Sequence, residues 1–216
     1  MTTLKPSTLL PLFLAGVISV GLSSCRDSGT PFTERSEIAT SDSGAINMSK
    51  MGGDIDVDNA PHGATLSTMG GNIHVGNVGA FAHLKTMGGN IEIDQAKASI
   101  DAVSMGGNVT LHLVAGSEGS SSAPHDVELT STGGGVELTV PKDFPMDVQV
   151  MLAYTKTASK TYRIDSNIGL TQNTSGEWDF SQGTPRKYIR AQGRVGSGSN
   201  HVVIKTVNGD VVIRQE

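Results

Sequence analysis

The chain has 216 residues, of which 27 are Gly, five Phe, three Tyr, one Trp and one Cys, and its formal net charge is −5. One Cys excludes an internal disulfide framework. The acidic balance argues against a nucleic-acid binder, and eight Pro without Gly at every third position exclude collagen. The glycine excess then points to many turns, in a length that suits one domain.

From Leu9 to Leu22 the chain is nearly all apolar, after a weakly positive start at Lys5. The run is shorter than the ~20 residues of a membrane span and ends in small residues, as export signals do. It closes on Leu22-Ser23-Ser24-Cys25. That stretch resembles the lipobox of bacterial lipoproteins, an aliphatic residue followed by two small ones and Cys. The resemblance implies removal of residues 1–24 as a signal peptide and acylation of Cys25, palmitate included. Several acyl chains on one residue anchor stably where one is marginal. Acylation would also remove a lone thiol from an oxidising compartment. Arg26 replaces the Asp that favours inner-membrane retention in such lipoproteins, so the resemblance points to the outer membrane and leaves its face open. The expected first partner is therefore the membrane, through Cys25. Only Lys5 among the charged residues would be lost. The mature chain stays acidic and is expected to avoid nucleic acid.

Residues 25–43 are polar and rich in Ser and Thr. They read as a tether that holds the domain off the membrane. Ile38 marks the earliest place for a first strand.

Four near-identical units follow. Met51-Gly52-Gly53, Met69-Gly70-Gly71, Met87-Gly88-Gly89 and Met105-Gly106-Gly107 recur every 18 residues. After each pair comes Asp54, Asn72, Asn90 or Asn108, then alternating Ile, Val or Leu. Met48, Leu66 and Leu84 repeat in the other half of the unit, as do Ile46, Ala64 and Ala82. Alternating β-branched residues make short half-buried strands, and a unit this small folds only by stacking on its neighbours. The predicted fold is all-β, a single-domain β-solenoid or β-helix-like stack with rungs of about 18 residues, over 44–216. Gly-Gly is expected to give each corner a positive φ. The Asn residues are expected to stack in a ladder, and the four Met residues to fill the core.

The regular units end near residue 114, and AGSEGSSSAPHD at 115–126 reads as an extended loop on one rung. The alternation resumes at Val127, Leu129, Val136, Leu138 and Val140, and again over 146–154. The span 155–190 is least regular and reads as a cap over the open end of the stack. Val202, Ile204, Asn208-Gly209-Asp210, Val211 and Ile213 restore the pattern at the end.

These turns resemble those of a family of bacterial adhesin-like β-solenoid proteins, sometimes called toastrack-like. The marks are Gly53-Asp54-Ile55, Gly71-Asn72-Ile73, Gly89-Asn90-Ile91, Gly107-Asn108-Val109, Gly135-Val136 and Gly209-Asp210-Val211. The resemblance covers 44–216. It implies a fold and an envelope setting but transfers no catalytic motif.

Candidate chemistry within the units is thin. GGDIDVDN at 52–59 lacks the third Gly of a Ca²⁺ roll. Asp56, His74, Glu92 and Thr110 form one outward column in an 18-residue register, and His112 stands over Asp94. Both read as charge pairing on a wet surface. Thr65, Thr68, Thr86 and Thr110 do not form the repeated column that ice binding needs. Only Lys50, Lys85 and Lys97 are basic within 44–114, which is poor for a polysaccharide lyase. No cofactor or metal is expected.

The stronger candidate surface lies in the irregular part, where Trp178, Phe180, Arg186 and Arg190 combine aromatics with positive charge. The expected function is a lipid-anchored, non-catalytic adhesin-like binding or scaffold module of the cell envelope. Its partner would be an unknown protein or glycan, and open stack ends offer a route to self-association. The runner-up is a periplasmic accessory or regulatory protein that binds another envelope protein. A polysaccharide-active enzyme on a β-helix comes third.

Overall fold

The sequence alternates short apolar strands with tight turns, and this pattern builds two sheets and no helix among the described residues. The computed structural model describes residues 38–40, 44–115, 124–158, 160–181 and 183–216. The stretch read as a signal peptide, Cys25, and most of the stretch read as a tether lie outside them. The backbone at Ile38–Thr40, inside the stretch read as tether, forms the first strand, β1.

The repeats supply β2 (Ile46–Lys50), β3 (Ile55–Ala60), β4 (Ala64–Thr68), β5 (Ile73–Val78), β6 (Phe81–Thr86), β7 (Ile91–Ala96), β8 (Ser99–Ser104) and β9 (Val109–Leu113). Further along the chain come β10 (Asp126–Ser131), β11 (Val136–Val140), β12 (Met146–Thr155) and β13 (Ile164–Ser166). The chain ends with β14 (Thr171–Thr174), β15 (Arg186–Val195), β16 (Asn200–Val207) and β17 (Val211–Gln215).

Ten strands form one sheet in the order β1-β2-β4-β6-β8-β10-β16-β12-β15-β14. Seven form the other, in the order β13-β17-β11-β9-β7-β5-β3. Within the repeats the chain visits the sheets alternately, and every pairing is parallel. Ile55 pairs with Ile73, Ile73 with Ile91, and Ile91 with Val109. Side-chain bonds between units link residues 18 apart, and 27 apart between Asn108 and Gly135. The last strands depart from chain order. β16 lies between β10 and β12, and β17 lies between β11 and β13. β15 closes the large sheet by antiparallel pairing with β12 and β14.

One core lies along the inner faces of both sheets, lined by Leu66, Leu84, Leu129 and Ile204 on one side and Ile73, Ile91, Leu111 and Leu138 on the other. Three expectations need correction. The repeat methionines do not fill this core: Met51, Met69, Met87 and Met105 are 80, 50, 46 and 49 % exposed. The inward alternation runs through the residue before each Met, so Met is turned outward. Among the paired glycines, only Gly53 has a left-handed φ, at 79°. The second glycine is needed for another reason. A Cβ on Gly71, Gly89 or Gly209 would collide with the carbonyl of Gly53, Gly71 or Gly134 in the neighbouring, earlier unit. Finally, Thr68 and Thr86 do align in register, but they are buried rather than displayed.

That buried column explains how the corners close. Thr86 Oγ1 donates to the Gly71 carbonyl (2.8 Å) and accepts from Gly89 N–H (3.2 Å). Ser104 and Ser131 repeat both contacts one and two units on. Each hydroxyl satisfies a backbone donor and a backbone acceptor that the tight turn leaves unpaired, both buried at Thr86 and part-buried toward Ser131. Outside it runs the Asn ladder. Asn90 N–H donates to Asn72 Oδ1 and Asn108 N–H to Asn90 Oδ1, both at 2.8 Å.

Candidate functional site

β15 alternates polar and apolar residues, so Arg186, Tyr188, Arg190, Gln192 and Arg194 share one face of the large sheet, and Ala191 turns into the core. Antiparallel pairing sets Arg190 beside Met151 and Tyr188 beside Ala153 on β12. Parallel pairing then sets Met151 beside Lys205 on β16. These strands frame two adjoining cavities, of about 460 and 320 Å³, with Met151, Arg190 and Lys205 common to both. Gln149, Gln192 and Asn173 extend the polar lining of the larger one, and Arg186 and Tyr188 line the smaller.

The charge on this face is unevenly compensated. Lys205 Nζ donates to Glu128 Oε1 at 2.6 Å. Neither Arg186 nor Arg190 is in a salt bridge among the described residues. The Arg190 guanidinium lies 5.1 Å from the Tyr188 ring centroid, within cation–π range. The Arg186 Nε is buried and has no hydrogen-bond partner. A buried donor without an acceptor is costly, and an anion or a ligand carbonyl would relieve it. Asp179 bounds the smaller cavity. Its carboxyl is held below the usual range, chiefly by hydrogen bonds from Ser181, with Tyr188 and Arg186 adding to the effect.

The four residues singled out from sequence divide between two places. Arg186 and Arg190 line the cavities. Trp178 instead packs edge-on against Tyr154 (5.9 Å), with the Lys187 ammonium 5.2 Å from its ring. Lys187 and Tyr154 belong to the face of β15 and β12 opposite Arg186 and Arg190, so Trp178 helps close the stack. Phe180 is 68 % exposed. Sequence reasoning passed over Lys205, Met151 and Tyr188 as site residues. Reading 186–195 as a period-two strand finds Tyr188, but Lys205 and Met151 join only through tertiary pairing.

A second arrangement sits on the repeat face. Asp56, His74, Glu92 and Thr110 are paired in register, as their spacing predicts. His74 Nδ1 is 2.9 Å from Asp56 Oδ1, and Nε2 is 3.1 Å from Asp94 Oδ2. The hydrogen bond to Asp56, then that to Asp94, raises the His74 pKa above the ordinary imidazole value. Where His112 is expected over Asp94, the pairing of β7 with β9 is irregular between Ile93 and Ala96, and Asp94 bonds to His74 on its other side. Among the described residues, no three His, Cys, Asp or Glu side chains gather as a metal site.

Comparison of the chain with protein-family models, with curated proteins and with solved structures finds no match.

Proposed function

We propose that the chain is a lipid-anchored, non-catalytic binding module of the bacterial cell envelope, adhesin-like in type, whose body is a β-solenoid with rungs of about 18 residues. The lipobox-like sequence ending at Cys25 supports the anchor. Register partners 18 residues apart through the repeats support the solenoid, with one longer spacing of 27 residues between Asn108 and Gly135. The ligand is anionic. One observation carries this: neither Arg186 nor Arg190 forms a salt bridge among the described residues beside cavities of ligand size, and Arg186 Nε is a buried donor without an acceptor. Arg forks match carboxylates in two-point hydrogen bonds. Tyr188 and the amides of Gln149, Gln192 and Asn173 add donors and acceptors suited to hydroxyl-rich rings, so an acidic glycan is the favoured ligand.

The test compares binding of uronic-acid oligosaccharides with their neutral counterparts. Acidic oligomers are expected to bind more tightly, with affinity falling as salt rises. R186Q/R190Q should weaken binding at least about tenfold, by loss of charge-assisted bonds, and Trp178→Ala should leave it unchanged. Equal binding of acidic and neutral oligomers would refute the reading. Binding of acidic peptides alone would move the protein to the accessory role. For the anchor, Cys25→Ala is expected to release the protein from membrane fractions. Retention there would overturn lipidation.

A further inference from the structure

The outward turn of Met51, Met69, Met87 and Met105 leaves four thioethers in one exposed column. Backbone bonds hold the column in register. Met69 N–H donates to the Lys50 carbonyl (3.3 Å), Met87 N–H to Thr68 (3.3 Å) and Met105 N–H to Thr86 (3.1 Å). The fold does not require Met there, because these side chains lie outside the core. Nor does it require the first glycine of each pair. No neighbouring atom lies within 4 Å of a Cβ built on Gly52 or Gly70, and neither has a left-handed φ. Yet Met-Gly is unchanged through all four units. Other exposed positions of the same units have diverged, to Asp56, His74, Glu92 and Thr110 in one column and Asn47, Thr65, His83 and Asp101 in another. Common origin of the repeats therefore does not account for the uniformity of the Met column. Gly52 and Gly70, next to Met51 and Met69, leave open space where a side chain would stand.

We propose that Met51, Met69, Met87 and Met105 form a binding ladder for a soft monovalent metal ion of the Cu(I) class. Thioether sulfur is a soft, neutral donor that selects Cu(I) over hard cations. Neighbouring strands lie about 4.8 Å apart. With metal–sulfur bonds near ~2.3 Å, unbranched Met side chains with three rotatable bonds can converge from two or three adjacent units on one ion. No proton competes for a thioether. Affinity is therefore flat across the pH range in which imidazole and thiolate ligands lose metal to protons.

The experiment uses the full chain carrying Cys25→Ser, which removes the one thiol, with methionine methyl groups labelled with carbon-13. Ag(I), which does not change oxidation state in air, stands in for Cu(I). The expected result is that four methyl signals shift together on titration while that of buried Met146 stays fixed. Uptake should be equal at pH near ~5 and ~8. M69L/M87L is expected to lower Ag(I) affinity at least tenfold with an unchanged melting temperature. Leu keeps an exposed apolar column, so the substitution separates metal chemistry from apolar docking. The proposal is overturned if no methyl signal shifts, if binding falls with pH or disappears in His74→Ala, or if M69L/M87L binds Ag(I) as tightly as the parent.

Discussion

From Ala45 to Val140 each strand pair stacks on the pair before it, so neighbours in the chain are neighbours in space. From Pro141 to Glu216 the rule fails. β12 and β13 leave a gap of one strand beside β10 and β11, and β16 and β17, the last strands made, fill it. The corner chemistry is nevertheless continuous. Thr206 Oγ1 donates to the Gly134 carbonyl as Thr86 does to Gly71, and Gly209 lies against Gly134 as Gly89 does against Gly71. Asp210 extends the ladder by accepting from the Arg163 N–H at 2.9 Å. The repeats show how identical short units stack by local rules. The C-terminal part shows that ending such a stack takes long-range pairing, paid in loop entropy before contacts are made, and that the face with Arg186 and Arg190 arises where chain order breaks.

The comparison can be broken most severely at Gly209. Gly209→Ala is expected to cost more than ~4 kcal/mol, because the Cβ meets backbone with no flexible atom to yield. Gly71→Ala should cost a similar amount inside the repeats, and Gly70→Ala should stay within about ±0.5 kcal/mol. Denaturant midpoints of the three variants decide this. Equal midpoints for Gly70→Ala and Gly71→Ala would show that close stacking is not what the second glycine serves. If Gly71→Ala unfolds the chain and Gly209→Ala does not, the inserted strands are not bound to the stack by the shared corner.

A smaller effect is expected at the buried hydroxyls. Thr86→Val leaves the Gly71 carbonyl and the Gly89 N–H without their partner. Each orphaned group costs about 1–3 kcal/mol, so a loss of at least ~2 kcal/mol is expected from the two. Val fills the volume, so a thermal melt indistinguishable from the parent would remove the hydroxyl ladder as a stabilising element.

The smallest effect concerns the repeat face. The His74 pKa is raised in the folded chain. The stability it adds is thus full below the ordinary imidazole value near ~6.5 and is lost as pH rises through the raised value. Melting temperature should fall slightly across that window, and D56N/D94N should flatten the slope. Imidazole proton shifts that titrate at or below ~6.5 would contradict the pairing. The C-terminal region offers the opposite sign. The Asp210 pKa is lowered, chiefly by the bond from Lys160, so its contribution is lost as pH falls.

The strands, their inward faces and the register of the repeats were legible from the residues alone. These follow from period-two alternation and an 18-residue recurrence, which constrain each unit against the next. The unit does not show why it keeps its glycines. The need at Gly71 is the approach of the Gly53 carbonyl, and that atom is supplied by another unit. The direction of Met69 and its equivalents was also hidden, because an apolar residue beside a corner reads as core until the turn is built. Tertiary structure alone decided the insertion of β16 and β17 and the meeting of Arg190, Met151 and Lys205. Their segments are far apart in the chain, and no local pattern encodes which edge an unpaired strand will seek. Free energy there depends on which edges remain open after the repeats have stacked, a property of the whole fold.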